Sequence, residues 1–111
     1  MHIRPFDGSI ADAKGIIQVD RETFDDCPYP PDYIASLQAE GAGQAWVAML
    51  DDRVAGFVSA FETHSLTARR WEIDELAVRP SAQGRGLGTR LVSAAVAGRS
   101  GGPSLDHVRA V

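Results

Sequence analysis

The sequence has few of the residues that mark a metalloprotein, a disulfide-stabilised protein or a membrane protein. It contains one cysteine and three histidines in 111 residues, so no internal disulfide can form and no Cys/His spacing predicts a zinc site. Its longest unbroken apolar run, residues 45–50, is far shorter than the roughly 20 residues of a membrane helix. The first residues, MHIRPFDG, have a charge and a proline where a secretory signal would be apolar. These absences predict a cytoplasmic protein with no metal and no membrane partner.

Basic residues are also in the minority. The 11 lysines and arginines against 15 aspartates and glutamates give a formal net charge of −4, which predicts no general attraction to nucleic acid. Any basic site must therefore be local. The length and the 44% hydrophobic content are typical of one globular domain, residues 1–111.

Hydrophobic periodicity predicts the element order β-α-α-β-β-β-α-β, a mixed α+β class. The predicted elements are a strand at residues 3–6, a helix from Ile10 to near Phe24 capped by Ser9, a helix at 31–39, strands at 44–50 and 54–62 joined by an Asp51-Asp52 turn, a strand at 70–78, a helix from Leu87 that Gly98 ends, and a strand at 105–111.

The strand RWEIDELAV, residues 70–78, breaks its own alternation. Two polar residues, Asp74 and Glu75, follow one another where a period of two allows one. A β-bulge at this point explains the slip. Glu72 and Asp74 lie two residues apart and are expected on one face of the strand.

A run of alternate glycines, QGRGLG at residues 83–88, separates this strand from the next helix; we call it the glycine loop. The start of a helix has backbone N–H groups without helical partners and attracts anions, and glycines let a phosphate approach the backbone. Arg85 and Arg90 add local positive charge. A tight turn alone needs fewer glycines, each of which costs about 0.5–1 kcal/mol of backbone entropy. The loop therefore predicts a phosphate or pyrophosphate site.

Three phosphate-binding patterns can be compared with this loop. The P-loop pattern needs a lysine, and the only lysine of the chain is Lys14. The dinucleotide fingerprint needs its third glycine one residue later and a parallel βαβ unit. The pattern Q/R-x-x-G-x-G/A fits residues 83–88 in full. Together with ELAVRP before it, the loop resembles the acetyl-CoA-binding motif of the GNAT superfamily of N-acetyltransferases.

The resemblance implies a three-layer fold with a central, mostly antiparallel sheet flanked by helices. It implies transfer of an acetyl group from acetyl-CoA to a primary amine of a small molecule, peptide or protein. The backbone of β-strand residues Leu76, Ala77 and Val78 would contact the pantetheine arm and the thioester oxyanion. The residues expected to hold the pyrophosphate are Gln83, Gly84, Arg85, Gly86, Leu87, Gly88 and Thr89.

Carboxylates near this strand are the candidate catalytic bases. Glu72 matches the position at which several GNAT enzymes keep a base, and Asp74 is the second candidate. Glu75 ranks third, since the bulge makes its facing uncertain. The loop at residues 24–33 falls where the family places its acceptor wall, so Asp25, Asp26, Tyr29 and Tyr33 are candidates for contact with a cationic amine, or else form an ordinary solvated loop.

The family pattern continues into a helix with a catalytic tyrosine and a final strand hairpin, and this sequence has neither. The strand at 105–111 would then be an exposed edge. A homodimer that completes the sheet is one expectation. The alternative function is a catalytically inactive acyl-CoA-binding or dimerisation module of the same fold.

Overall fold

The computed structural model describes residues 1–24, 29–40, 43–98 and 107–110, and within them the elements follow the predicted order. Residues 25–28 of the predicted acceptor wall lie outside the described residues, as do 105, 106 and 111. The elements are β1 His2–Pro5, α1 Ile10–Phe24, α2 Pro31–Glu40, β2 Gln44–Leu50, β3 Arg53–His64, β4 Arg69–Val78, a 3₁₀ turn Pro80–Ala82, α3 Leu87–Ala97 and β5 His107–Ala110.

The described strands form one sheet in the order β1-β2-β3-β4-β5. The first four are antiparallel neighbours, while β5 runs parallel to β4. Asp51 and Asp52 have φ values of 52° and 60°, which is the geometry of a two-residue hairpin turn between strands that twist. The predicted α+β class, with its mostly antiparallel sheet, is confirmed.

A bulge interrupts β4 where the sequence alternation slips. Ser59 of β3 pairs with Glu75, and the next residue of β3 pairs with Ile73, so Asp74 is an extra residue without a cross-strand partner. Glu75 therefore returns to the sheet face that Glu72 occupies. The predicted bulge is confirmed, and because Asp74 is its unpaired residue, the expectation that Glu72 and Asp74 share a face stays a prediction.

Helices cover both faces of the sheet, which makes three layers. On one face α3 packs on an apolar cluster, and the Trp71 indole N–H donates to the Ala95 carbonyl at 2.9 Å. On the other face α1 packs on a second cluster. The larger members of the first cluster are Trp46, Val58, Trp71, Ile73, Leu87 and Leu91, and those of the second are Phe6, Ile16, Val19, Val47, Val54 and Phe57.

The position of α1 over the sheet is fixed at its N-terminal half. The Asp12 backbone N–H donates to the Ser9 hydroxyl at 3.1 Å, which is the predicted cap. Buried Asp12 also accepts two hydrogen bonds, at 2.7 and 2.8 Å, from Arg4 of β1. A Cβ on Gly15 would lie 2.6 Å from Val54 Cγ2 of β3, so the helix approaches the sheet too closely for any larger residue there.

Candidate functional site

The glycine loop presents bare backbone to open space. Gly84 and Gly86 have φ values of 84° and 76°, a left-handed conformation that favours glycine. A Cβ built on Gly84, Gly86 or Gly88 would meet no atom within 4 Å. The space above the loop is therefore available to a ligand, and its phosphate groups could reach the backbone.

The N-terminus of α3 adds hydrogen-bond donors to this space. Gly86 is its N-cap residue, and no side chain caps the helix there. The first-turn N–H groups have no acceptor inside a helix and carry the positive end of the helix dipole. Arg85 and Arg90 are both exposed beside this helix start. Backbone donors and two exposed arginines thus lie at the same end of α3, which suits an anionic ligand.

The edge of β4 opposite β3 lies next to the loop. β5 pairs with this edge only at residues 70–73, directly before the bulge. From Asp74 to Val78 no strand in the described part of the chain pairs with it. Those backbone groups of residues 76–78 that point away from β3 can therefore hydrogen-bond to an extended ligand that leads into the loop.

Polar contacts hold the end of β4 in place. The Gln83 side-chain amide donates to the Val78 carbonyl at 3.0 Å, and the Arg79 backbone N–H donates to the Ala55 carbonyl at 2.9 Å. Arg79 is 9% exposed, and its Nη2 lies 3.4 Å from Glu22 Oε2 of α1. Its buried Nε finds no hydrogen-bond partner among the described residues. Gln83 therefore connects the glycine loop to β4. This contact could not be predicted from the presence of a glutamine in the motif.

The structure places the three acidic candidates of β4 in different environments. Glu72 is only 6% exposed, whereas Asp74 in the bulge and Glu75 beyond it are exposed. The carboxyl of Glu75 lies within hydrogen-bonding reach of Asp20 on α1. Partial burial of that carboxyl, the charge and hydrogen bond of Asp20, and the charge of Asp74 together raise the pKa of Glu75 to about 7. The sequence did not single out Asp20.

The described part of the predicted acceptor wall lies against α1. The rings of Tyr29 and Tyr33 stack with centroids 4.8 Å apart, and both residues are exposed. Tyr29 borders a cavity of about 510 Å³ whose other lining residues include Arg21 and Glu22 of α1. Asp25 and Asp26, the other two residues predicted there, lie outside the described residues.

No group of three or more histidine, cysteine, aspartate or glutamate side chains is arranged to hold a metal ion in residues 1–24, 29–40, 43–98 and 107–110. No helix in those same ranges is long and apolar enough to span a bilayer.

Comparison with known families identifies the class of protein. The sequence profile of the Acetyltransferase (GNAT) family matches residues 13–100. That match includes the bulged strand, the glycine loop and α3, which are the elements that carry the candidate site. The chain therefore belongs to the GNAT family of acetyltransferases, as its motif indicates. No curated protein matches the chain.

Solved structures of acetyltransferases have the same fold. An aminoglycoside acetyltransferase from an uncultured soil metagenomic sample, in complex with trehalose, has a TM-score of 0.81 at 15% identity over 99% of this chain and 76% of its own. The ribosomal-protein-alanine N-acetyltransferase of Brucella melitensis biovar Abortus 2308 has a TM-score of 0.73 at 19% identity over 98% and 78%. A glucosamine N-acetyltransferase region of a fungal multi-domain β-N-acetylglucosaminidase has a TM-score of 0.71 at 26% identity over 86% and 12%.

Proposed function

We propose that this acetyltransferase moves an acetyl group from acetyl-CoA to a primary amine of a small molecule or peptide. The observation that carries the proposal is the bare glycine loop at the start of α3, beside residues 74–78 of β4, whose outer edge no described strand covers. The similar structures support an amine acceptor, since they are described as acting on aminoglycosides, on a ribosomal-protein alanine and on glucosamine.

The residues of the loop fit the phosphate end of acetyl-CoA. Backbone N–H groups of residues 83–89 would hold the pyrophosphate, and Arg85 and Arg90 would balance its charge. The backbone of Leu76, Ala77 and Val78 would pair with the pantetheine arm and offer an N–H to the oxyanion. Acetyl-CoA itself would supply an acetyl group activated as a thioester.

The acceptor must lose a proton before it can react. A primary alkyl amine with a pKa of about 10.4 is almost wholly protonated at neutral pH, so the enzyme needs a base. Glu72 and Asp74 are the bases that the sequence proposes. The burial of Glu72 means that a proton would reach it only through an intervening group or water, whereas Asp74 faces solvent in the bulge.

The proposal is tested by mixing the chain with acetyl-CoA and a panel of primary amines. We expect free thiol to appear in proportion to an acetylated amine identified by mass spectrometry. A tertiary amine of similar size is the matched control and should release no thiol. Binding of CoA without any amine-dependent thiol release would contradict the proposal and favour the inactive acyl-CoA-binding module.

A further inference from the structure

We propose that Glu75 takes the proton from the acceptor amine, and that Asp20 on α1 is the positioning residue that controls when Glu75 can accept it. This inference rests on the proposed function and assigns a base that the motif does not.

The bulge places Glu75 where an acceptor can reach it. Glu75 is the first residue of β4 to pair with β3 after the bulge, and it directly precedes Leu76, where the uncovered strand edge is proposed to bind the substrate. Glu72 lies on the same face but is only 6% exposed, whereas Glu75 is exposed. An amine that approaches the bulge from solvent therefore meets Glu75 without any displacement of the sheet.

The contact with α1 brings a second carboxyl to Glu75. Asp20 lies within hydrogen-bonding reach of it, and two carboxyl groups hydrogen-bond to each other only when one of them holds a proton. Other charged groups between α1 and the end of β4 include Asp74 in the bulge and the ion pair between Arg79, the residue after β4, and Glu22 of α1. Because Arg79 is paired with Glu22, the charges that act on Glu75 are the two aspartates.

These surroundings suit a base that works near neutral pH. Partial burial, followed by Asp20 and Asp74, raises the pKa of Glu75 to about 7. A carboxylate with an ordinary pKa is a weak proton acceptor at that pH, and catalysis is most effective when the pKa of the base lies close to the working pH. Glu75 would thus be a stronger base than an unperturbed glutamate and still be ionised in part of the population.

The proposed step balances in atoms and charge. The Glu75 carboxylate accepts one proton from the acceptor ammonium and leaves a neutral amine. The nitrogen lone pair forms the bond to the acetyl carbonyl carbon, and the C–S bond breaks with its electron pair remaining on sulfur. The second nitrogen proton ends on that sulfur as the thiol, and Glu75 then releases its proton to water. One ammonium and one thioester give one amide, one thiol and one proton.

The test compares the pH dependence of kcat/KM for the unmodified chain and two variants, with one acceptor amine throughout. The unmodified chain should show an acid limb near pH 7. Asp20→Asn removes a negative charge that opposes ionisation of Glu75, so the limb should move to lower pH by about one unit. Glu75→Gln should lose that limb, with kcat/KM at neutral pH reduced by about 100-fold or more.

Asp52→Asn is the matched control. It removes a carboxyl from the exposed β2–β3 turn, where φ is 60°, a conformation that asparagine tolerates. The pH dependence of its kcat/KM should match that of the unmodified chain. An acid limb that stays in place in Asp20→Asn, or that persists in Glu75→Gln, would overturn the inference while leaving acetyl transfer itself established.

A second measurement does not depend on activity. Carboxyl ¹³C shifts, assigned to Glu75 by comparison with Glu75→Gln, should titrate near pH 7 and move to lower pH in Asp20→Asn. A Glu75 that titrates below about pH 5, as an ordinary glutamate does, would overturn the inference even in an inactive chain. Retention of CoA binding in both variants shows that each is folded.

Discussion

Gly86 combines a conformation that other residues resist with a position at the open start of α3. Its φ of 76° makes a side chain costly there by about 1–2 kcal/mol, yet a Cβ would contact no atom within 4 Å. Gly86→Glu should therefore leave the chain folded and place a negative charge in the space proposed for pyrophosphate. We expect CoA affinity, measured by calorimetry, to fall by about 100-fold or more.

Ser81→Glu controls for the added charge. Ser81 is exposed in the 3₁₀ turn just before the glycine loop, so this variant brings the same charge near the loop without entering it. Its affinity for CoA should fall much less than that of Gly86→Glu. Equal losses in the two variants, or none in Gly86→Glu, would remove the loop from the binding site.

At the residue scale, the sequence predicts local features but not contacts between segments that are far apart in the chain. The slip at Asp74 and Glu75 is a local signal, and it located the bulge. The contact of Glu75 with Asp20 is not local, because it depends on where α1 crosses β4. The hydrogen bond from Gln83 to Val78 was missed for a similar reason, since a motif gives residue types and not side-chain directions.

At the scale of elements, two helix glycines should respond to alanine in opposite ways. Gly15 in α1 lies against Val54 of β3, where a Cβ would be 2.6 Å from Cγ2, so Gly15→Ala forces the helix off the sheet. We expect the free energy of unfolding to fall by about 1–3 kcal/mol. Gly88 in α3 faces open space, so Gly88→Ala should raise the free energy of unfolding by about 0.5 kcal/mol.

Urea unfolding of both variants checks this pair. Gly88→Ala should also keep its CoA affinity, because the pattern Q/R-x-x-G-x-G/A accepts alanine at that position. A stabilised Gly15→Ala would show that α1 does not approach β3 as closely as the structure indicates. A destabilised Gly88→Ala would show that the start of α3 is less open than described.

The elements themselves could be predicted because their signals are local. Ser9 caps α1, Asp51 and Asp52 form the hairpin turn, and Gly98 directly follows the end of α3. The extent of pairing between β4 and β5 was not predicted. It is a contact between segments far apart in the chain, and the sequence has no local signal for its register.

At the scale of the whole molecule, the candidate site lies where α1, the sheet and α3 meet at the C-terminal end of β4. The end of β4 leads into the glycine loop on the side of α3, while on the other face Asp20 of α1 lies near Glu75 and Glu22 pairs with Arg79, the residue after β4. The resemblance of the glycine loop to the GNAT motif implied the three layers. The positions at which the two helices meet β4 could not be predicted, because the crossing of helices over a sheet is set by packing of the whole core.

A calorimetric titration of the chain with CoA, and separately with ATP and NAD⁺, tests the central claim most directly. The mass in solution, measured on the same sample, would show whether a homodimer forms. We predict saturable binding of one CoA per chain, with ATP and NAD⁺ markedly weaker. Absence of CoA binding, or binding of ATP or NAD⁺ as tight as that of CoA, would contradict the claim.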